Sequence, residues 1–307
     1  MLGSIWDDVK RQYSYGNMVT RLILVNVAVF IFINLLWIIL YHANAGKLSQ
    51  FYFDFINFFA VSSELWTVVT HPWSIITNMF MHEGFWHILW NMLFLYWFGR
   101  IVGDLIGDRH ILPLYILGGI AGVVIFVTSA NLLPYAYSNK LPYALGASAG
   151  VMAIVVASGV LAPDYNFRLL FLGDVKLKFI AAAVIFIDLM GTANLDNTGG
   201  HFAHLGGAIF GWYYVWQMQK NGRDLSVSVN KVFDRIARFW DSIVGRIQGR
   251  RPKPRVVYRN KNKTRSFSRP HASSDTEDRS HQEELDAILD KIKKNGYDSL
   301  TEEEKEF

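Results

Sequence analysis

The sequence predicts an all-α, polytopic membrane protein, with six transmembrane helices followed by a helical cytoplasmic tail. Three observations carry this expectation. The 307 residues are 51% hydrophobic and 15% aromatic with a mean hydropathy of +0.19, too apolar for an average soluble domain. Charge is segregated: residues 1–220 hold 11 of the 30 Lys+Arg and 11 of the 26 Asp+Glu, so most of it lies in the last 87 residues. Six apolar segments recur along those first 220 residues, to be judged against the ~20 residues that a bilayer crossing requires.

Residues 1–18 are charged and lack the apolar core and small-residue cleavage site of a signal peptide. The first apolar stretch, 22–41, is therefore expected to be a retained anchor; it carries no charge. Residues 43–80 are unusually aromatic for a loop (Phe51, Tyr52, Phe53, Phe55, Phe58, Phe59, Trp66, Trp73). They read as a folded loop half-immersed at headgroup depth. The second segment, 85–101, is shorter and contains His87 and Asn91. The third, 112–129, has Gly118, Gly119 and Gly122, which permit close helix contact. The fourth, 146–162, opens on Gly146-Ala147-Ser148-Ala149-Gly150. The fifth, 179–193, is apolar apart from Asp188, and the sixth, 202–219, closes a body spanning residues 19–220.

Basic residues orient this body. Lys10, Arg11 and Arg21 precede the first segment, Arg100 and Arg109 separate the second and third, and Arg168, Lys176 and Lys178 separate the fourth and fifth. A dense basic run follows the sixth, whereas the opposite side has little beyond Lys47 and Lys140. Both termini are thus expected in the cytoplasm, with Ser148 towards the outer face.

The tail reads in three parts. Residues 220–269 carry 15 Lys+Arg against three acids, and Val232, Phe233, Ile236, Phe239, Trp240, Ile243 and Ile247 recur at helical spacing. Residues 221–255 are expected to form a basic amphipathic juxtamembrane segment on anionic lipid. Such charge also suits nucleic acid, but lipid phosphate lies at hand and no nucleic acid is expected. Residues 256–280 read as a disordered linker. Residues 281–307 read as a small helical extension, with a capping box at Thr301 and Glu304. That extension is either a docking element for an unknown partner or a solvated tail.

With no cysteine, thiolate nucleophiles and Cys-ligated metals are excluded. The polar residues of the outer half carry the chemistry, because polar side chains in membrane helices are costly and default to function. Gly-x-Ser-x-Gly marks a nucleophilic serine on a tight turn. His82-Glu83 with His87 does not make a zinc-protease motif: the histidines are five apart, about 140° around a helix, rather than four. His87 and Asn91 are four apart and share a face. A four-histidine metal site from His82, His87, His201 and His204 remains an alternative. Gly207 and Gly211, like Gly146 and Gly150, give small-xxx-small surfaces that let two helices approach. That approach would bring Ser148, the nucleophile, to neutral His204, the general base. His87, Asn91 and the Ser148 amide are then oxyanion donors. The alternative, in which Ser148 and the glycines only pack helices, must treat the shared membrane depth of all these groups as coincidence.

Over residues 20–218 the sequence resembles the rhomboid family of intramembrane serine proteases. The resemblance lies in His82 and His87 five apart, Asn91 four further on, Gly146-Ala147-Ser148, and Ala203-His204-Leu205-Gly206-Gly207 with Gly211. It implies a rhomboid-like bundle and a Ser148/His204 dyad with no required aspartate. His87 and Asn91 would form the oxyanion site, with His82 as structural support and Trp73 as the family's loop tryptophan. No metal or organic cofactor is implied. Residues 286–306 resemble an extension on Bacteroidetes-type rhomboids, which would put the chain in a bacterial inner membrane with its active site towards the periplasm. Substrates would be membrane proteins with a labile transmembrane helix, entering past the fifth helix and a cap loop at 194–200. Ala149, Ser74, Met152 and His201 depart from common family residues without removing a dyad atom. The rival reading is a catalytically silent rhomboid-like protein that binds membrane helices.

Overall fold

The computed structural model describes residues 13, 16–133, 143–169, 173–193, 197–247, 286–294, 299–301 and 304. Most of the expected 1–18 segment and all of the linker at 256–280 lie outside them. The chain divides into two compact units, residues 1–250 and 251–307.

The first unit is helical, as expected. Its elements are α1 (Met18–Ala43), α2 (Gln50–Phe59), β1 (Val61–Ser62), α3 (Leu65–Thr70), α4 (Ser74–Thr77), α5 (Phe85–Ile106), α6 (Ile111–Leu132), β2 (Tyr143–Ala144), α7 (Ser148–Leu161), β3 (Asn166–Leu169), β4 (Gly173–Lys176), α8 (Leu177–Gly191), α9 (Thr198–Asn221) and α10 (Ser226–Ile247). The six expected long helices are α1, α5, α6, α7, α8 and α9. Among the described residues, Met18–Ala43 and Asp108–Leu132 are the two helices long and apolar enough to cross a membrane, by length and composition alone. The others are interrupted by polar groups (His87, Asn91 and Arg100 in α5; His201 and His204 in α9) or are short, such as the 14-residue α7.

Local chemistry sets the boundaries. The Asn17 side chain accepts from the Thr20 amide at 2.9 Å and caps α1. Pro113 lies in the first turn of α6, where its missing N–H leaves no intrahelical bond unmade. Gly222, left-handed at φ 62°, closes α9.

Three boundaries differ from expectation. The second helix is not short: α5 runs 22 residues to Ile106, because Val102 keeps its inner face buried. The fourth begins at Ser148, since Gly146 has φ 132°, outside the helical region. The sixth begins at Thr198, so Gly199 and Gly200 belong to its first turn rather than to a cap loop. Residues 194–196 of that loop lie outside the described residues.

The aromatic loop is folded, into α2, β1, α3, α4 and a 3-10 turn at Asn78–Phe80. Trp73 donates from Nε1 to the Phe58 carbonyl at 2.8 Å and packs on the Phe58 and His71 rings. Two short antiparallel pairs were not expected: β1 with β2 (Val61 opposite Ala144) and the β3–β4 hairpin (Asn166 opposite Lys176). Two-residue strands carry no readable period.

The centre of the body is made by α6, α7 and α9, which approach through small residues. A β-carbon at Gly118 would meet Ala153 Cβ at 2.3 Å, one at Gly122 would meet Ala149 Cβ at 2.4 Å, and one at Gly211 would meet the Ala153 carbonyl oxygen at 2.2 Å. Around this core, Phe32, Ile39, Trp86, Val124, Phe186, Ile187 and Trp212 are exposed. A surface this apolar suits hydrocarbon rather than water.

The two ends differ chemically. At one end the Met18 amide donates to Asp108 at 2.8 Å, Arg109 pairs with Asp224 at 3.0 Å, and Asn230 of α10 donates to the Arg109 carbonyl at 2.9 Å. At the other end lie the starts of α5, α7 and α9. In the second unit, residues 286–294 are helical. Lys291 binds Glu304 at 2.7 Å, the Thr301 amide donates to Glu304, and the Glu304 amide donates to Thr301 Oγ1. That reciprocity is the expected capping box.

Candidate active site

The turn that presents Ser148 is pinned from three directions. β2 pairs with β1 of the aromatic loop. The Gly146 amide donates to the Asn78 carbonyl at 2.9 Å, and the Ala147 amide approaches His82 Nε2 at 3.4 Å. His82 is 1% exposed, with Nε2 turned to the Ala147 N–H. Its ring stands edge-on to His87, with centroids 5.0 Å apart. His82 thus touches the backbone just before the serine rather than the serine itself.

Ser148, His204, His87, Asn91 and Gly146 all line one cavity of about 1260 Å³, with Met152 one turn along α7 from the serine. Gly146 explains the close approach. A β-carbon there would lie 2.9 Å from His87 Nε2 and 3.6 Å from Ser148 Oγ, so hydroxyl and imidazole flank the same point. Asn91 spends one amide hydrogen on the His87 carbonyl at 2.9 Å, and the amide has a second.

Register between α7 and α9 follows from the glycines. Gly207 abuts Ala149 and Gly211 abuts Ala153, two pairs each one turn apart. Ser148 precedes the first contact on α7 and His204 lies one turn before it on α9, so both fall at the cavity end of the helix pair. A hydrogen bond between the Ser148 hydroxyl and His204 is not among those of the described residues.

The composition of the site departs from the sequence reading in one respect. Asp188 Oδ1 accepts from His204 Nδ1 and from His201 Nδ1, each at 2.8 Å. With Nδ1 engaged, Nε2 is the His204 nitrogen left to take a proton. In the sequence Asp188 is either a buried polar contact or part of the cavity lining; in the structure it is the buried contact, 5% exposed. The signal was the pair His201 and His204, which three-residue spacing puts on one helix face. The four-histidine metal site does not form: the rings fall into two pairs, with His82 turned to Ala147 and His201 and His204 turned to Asp188. The group that could hold an ion among the described residues is Asp188, His201 and His204, whose ligand atoms lie within 4.8 Å of one another.

Comparison with known proteins finds one family for the helical body and another for the C-terminal stretch. The family model "Rhomboid domain" matches residues 69–221, and a model of a family of unknown function, DUF6576, matches residues 275–307. Rhomboid protein 1, mitochondrial, of Saccharomyces cerevisiae is 30% identical over 155 residues, covering 50% of this chain and 43% of that protein. Presenilin-associated rhomboid-like protein A, mitochondrial, of Danio rerio is 27% identical over 143 residues, covering 46% and 36%. Rhomboid-like protein 11, chloroplastic, of Arabidopsis thaliana is 27% identical over 156 residues, covering 48% and 53%. The chain spans about half or less of the length of these relatives. Domain match and relatives agree: the chain belongs to the rhomboid family.

Proposed function

We propose that this chain is an intramembrane serine endopeptidase that cleaves transmembrane helices of other membrane proteins near the outer face. The observation that carries the reading is the convergence of Ser148, His204, His87 and Asn91 on one cavity. Ser148 Oγ bonds to the scissile carbonyl carbon as its proton passes to His204 Nε2. The oxyanion accepts from His87, from the free Asn91 hydrogen and from the Ser148 amide. Collapse breaks the C–N bond, and the amine leaves with the proton from Nε2. Water then adds to the acyl-enzyme, again through His204, and releases the acid.

The setting belongs to the same proposal. Six helices cross the membrane, with the basic end of the body in the cytoplasm and the cavity opening outward. α7 is short enough to let water reach the serine from that side. The membrane is a bacterial inner membrane, by the resemblance of the C-terminal stretch; the relatives named above are organellar. Substrates are membrane proteins whose helix unwinds readily, and α10 rests on anionic lipid.

The test is cleavage of a transmembrane substrate in liposomes by wild type, Ser148→Ala and His204→Ala. Loss in both variants, with fluorophosphonate labelling of Ser148 in wild type, supports the reading; equal cleavage by all three overturns it. The second reading, a silent membrane-helix binding protein, is favoured by the missing Ser148–His204 hydrogen bond. Substrate capture by wild type without turnover or labelling would establish it.

A further inference from the structure

The carboxylate of Asp188 is buried on a helix whose neighbouring residues are apolar. It is 5% exposed, while Phe186, Ile187, Leu189 and Met190 beside it face outward. Isolated burial of a carboxylate costs heavily unless hydrogen bonds compensate it. Here two imidazole N–H groups converge on the same oxygen at 2.8 Å. The surroundings are shaped for this contact. Gly191, three residues further along α8, leaves room for the His201 ring: a β-carbon there would lie 2.4–2.6 Å from its atoms. Asp188 and Gly191 on α8 thus mesh with His201 and His204 on α9.

We propose that Asp188 is the positioning residue of the catalytic base, making a Ser148–His204–Asp188 relay in place of a bare dyad; this rests on the protease reading above. The carboxylate fixes His204 with its proton on Nδ1, so Nε2 is the nitrogen presented to the cavity. It also faces the positive charge that the ring acquires when it takes the Ser148 proton. The aspartate takes no proton itself and touches no substrate. His201 supplies the second N–H that the buried oxygen needs. Because Asp188 lies on α8 and the serine on α7, the orientation of the base depends on the seating of a third helix.

The experiment is steady-state cleavage in liposomes by wild type, Asp188→Asn, Asp188→Glu, Ser148→Ala and His204→Ala, with Tm measured for each. Asparagine keeps the size and one acceptor but not the charge. The expected result for Asp188→Asn is a fall in kcat of at least about tenfold, with KM within about twofold and Tm retained. Asp188→Glu is expected to recover part of kcat. Wild-type kcat in a folded Asp188→Asn overturns the relay while leaving the protease reading intact; activity in Ser148→Ala would overturn that reading instead. Should Asp188→Asn not fold, selective ¹⁵N-histidine spectra of wild type decide. A His204 protonated on Nδ1 is expected, and one protonated on Nε2 overturns the proposal. Cleavage lost on chelation and restored by zinc overturns it too, because an ion held by these side chains would occupy Nδ1.

Discussion

Gly207 packs so closely on Ala149 that a β-carbon at Gly207 would lie 2.0 Å from the Ala149 carbonyl oxygen. That oxygen belongs to a helix backbone and has no rotamer by which to move aside. Gly207→Ala must therefore push α9 from α7, and with it the base from the serine. Overpacking of this kind costs about 1–3 kcal/mol. With about 2–4 °C of Tm per kcal/mol for a body of this size, Tm should fall by several degrees and cleavage should fall with it. Gly84→Ala is the control, since nothing lies within 4 Å of a β-carbon there. Thermal unfolding of both variants in detergent checks the pair; an unchanged Gly207→Ala would mean the helix contact is looser than described.

Gly146 makes a different prediction, because its constraint is local. It has φ 132°, and a β-carbon would sit 2.8 Å from His87 Cε1. Gly146→Ala should strain the turn by about 1–3 kcal/mol and displace the His87 ring, lowering kcat by more than the loss of folded protein explains. If the displaced ring is the cause, Gly146→Ala/His87→Ala should be no worse in kcat than His87→Ala alone. Additive losses in that double-mutant cycle would show that Gly146 acts elsewhere.

The legibility of these features in the sequence was uneven for physical reasons. The six helices and the residues facing the cavity were readable because apolar length, charge asymmetry and four-residue spacings are local signals. The clamp on the serine turn was not. It depends on Val61 meeting Ala144 and on the Gly146 amide finding the Asn78 carbonyl, and backbone bonds between distant segments leave no trace in residue type. Asp188 was visible as an anomaly, a carboxylate in an apolar helix, but its partners lie on the next helix. Only the three-residue spacing of His201 and His204 hinted that one acceptor could serve both. The helix α5 runs five residues past the apolar segment 85–101, whose end marks where apolar residues give way to Gly103 and Asp104 rather than where the helix stops.

The β3–β4 hairpin gives a prediction in pH. The Asp164 carboxyl is held down to about 2, chiefly by hydrogen bonds from the Lys178 and Lys176 ammonium groups at 2.7 and 3.0 Å. A carboxyl with a depressed value in the folded protein contributes stability above its unfolded value of about 3.9, lost as pH falls through the folded value. Wild type should therefore lose a little more stability between about pH 4 and pH 2 than Asp164→Asn, and the two should run parallel above pH 5. All three groups are exposed, so the difference is small and should vanish in high salt. Tm against pH for the two proteins, with and without added salt, is the measurement.

The amphipathic α10 carries the last prediction. Phe233 packs on the core and Asn230 holds the Arg109 carbonyl, so that side of the helix is seated. Val232, Ile236, Phe239 and Trp240 lie on another side and are exposed, Phe239 at 63% and Trp240 at 58%. Lys231, Arg235 and Arg238 are exposed alongside them. A seated helix with an open aromatic stripe and adjacent cations has the geometry of a surface helix. At about 1 kcal/mol per basic residue near an anionic surface, these three cations should favour anionic lipid by about 100-fold. In nanodiscs, trypsin should therefore cut at Arg235 and Arg238 much more slowly with anionic than with zwitterionic lipid. Protection should weaken at about 0.5 M salt, where screening is within a few ångströms. It should also weaken in Phe239→Ser/Trp240→Ser, which keeps every charge. Equal digestion in both lipids would remove the lipid assignment, and protection by RNA in zwitterionic nanodiscs would move it to nucleic acid.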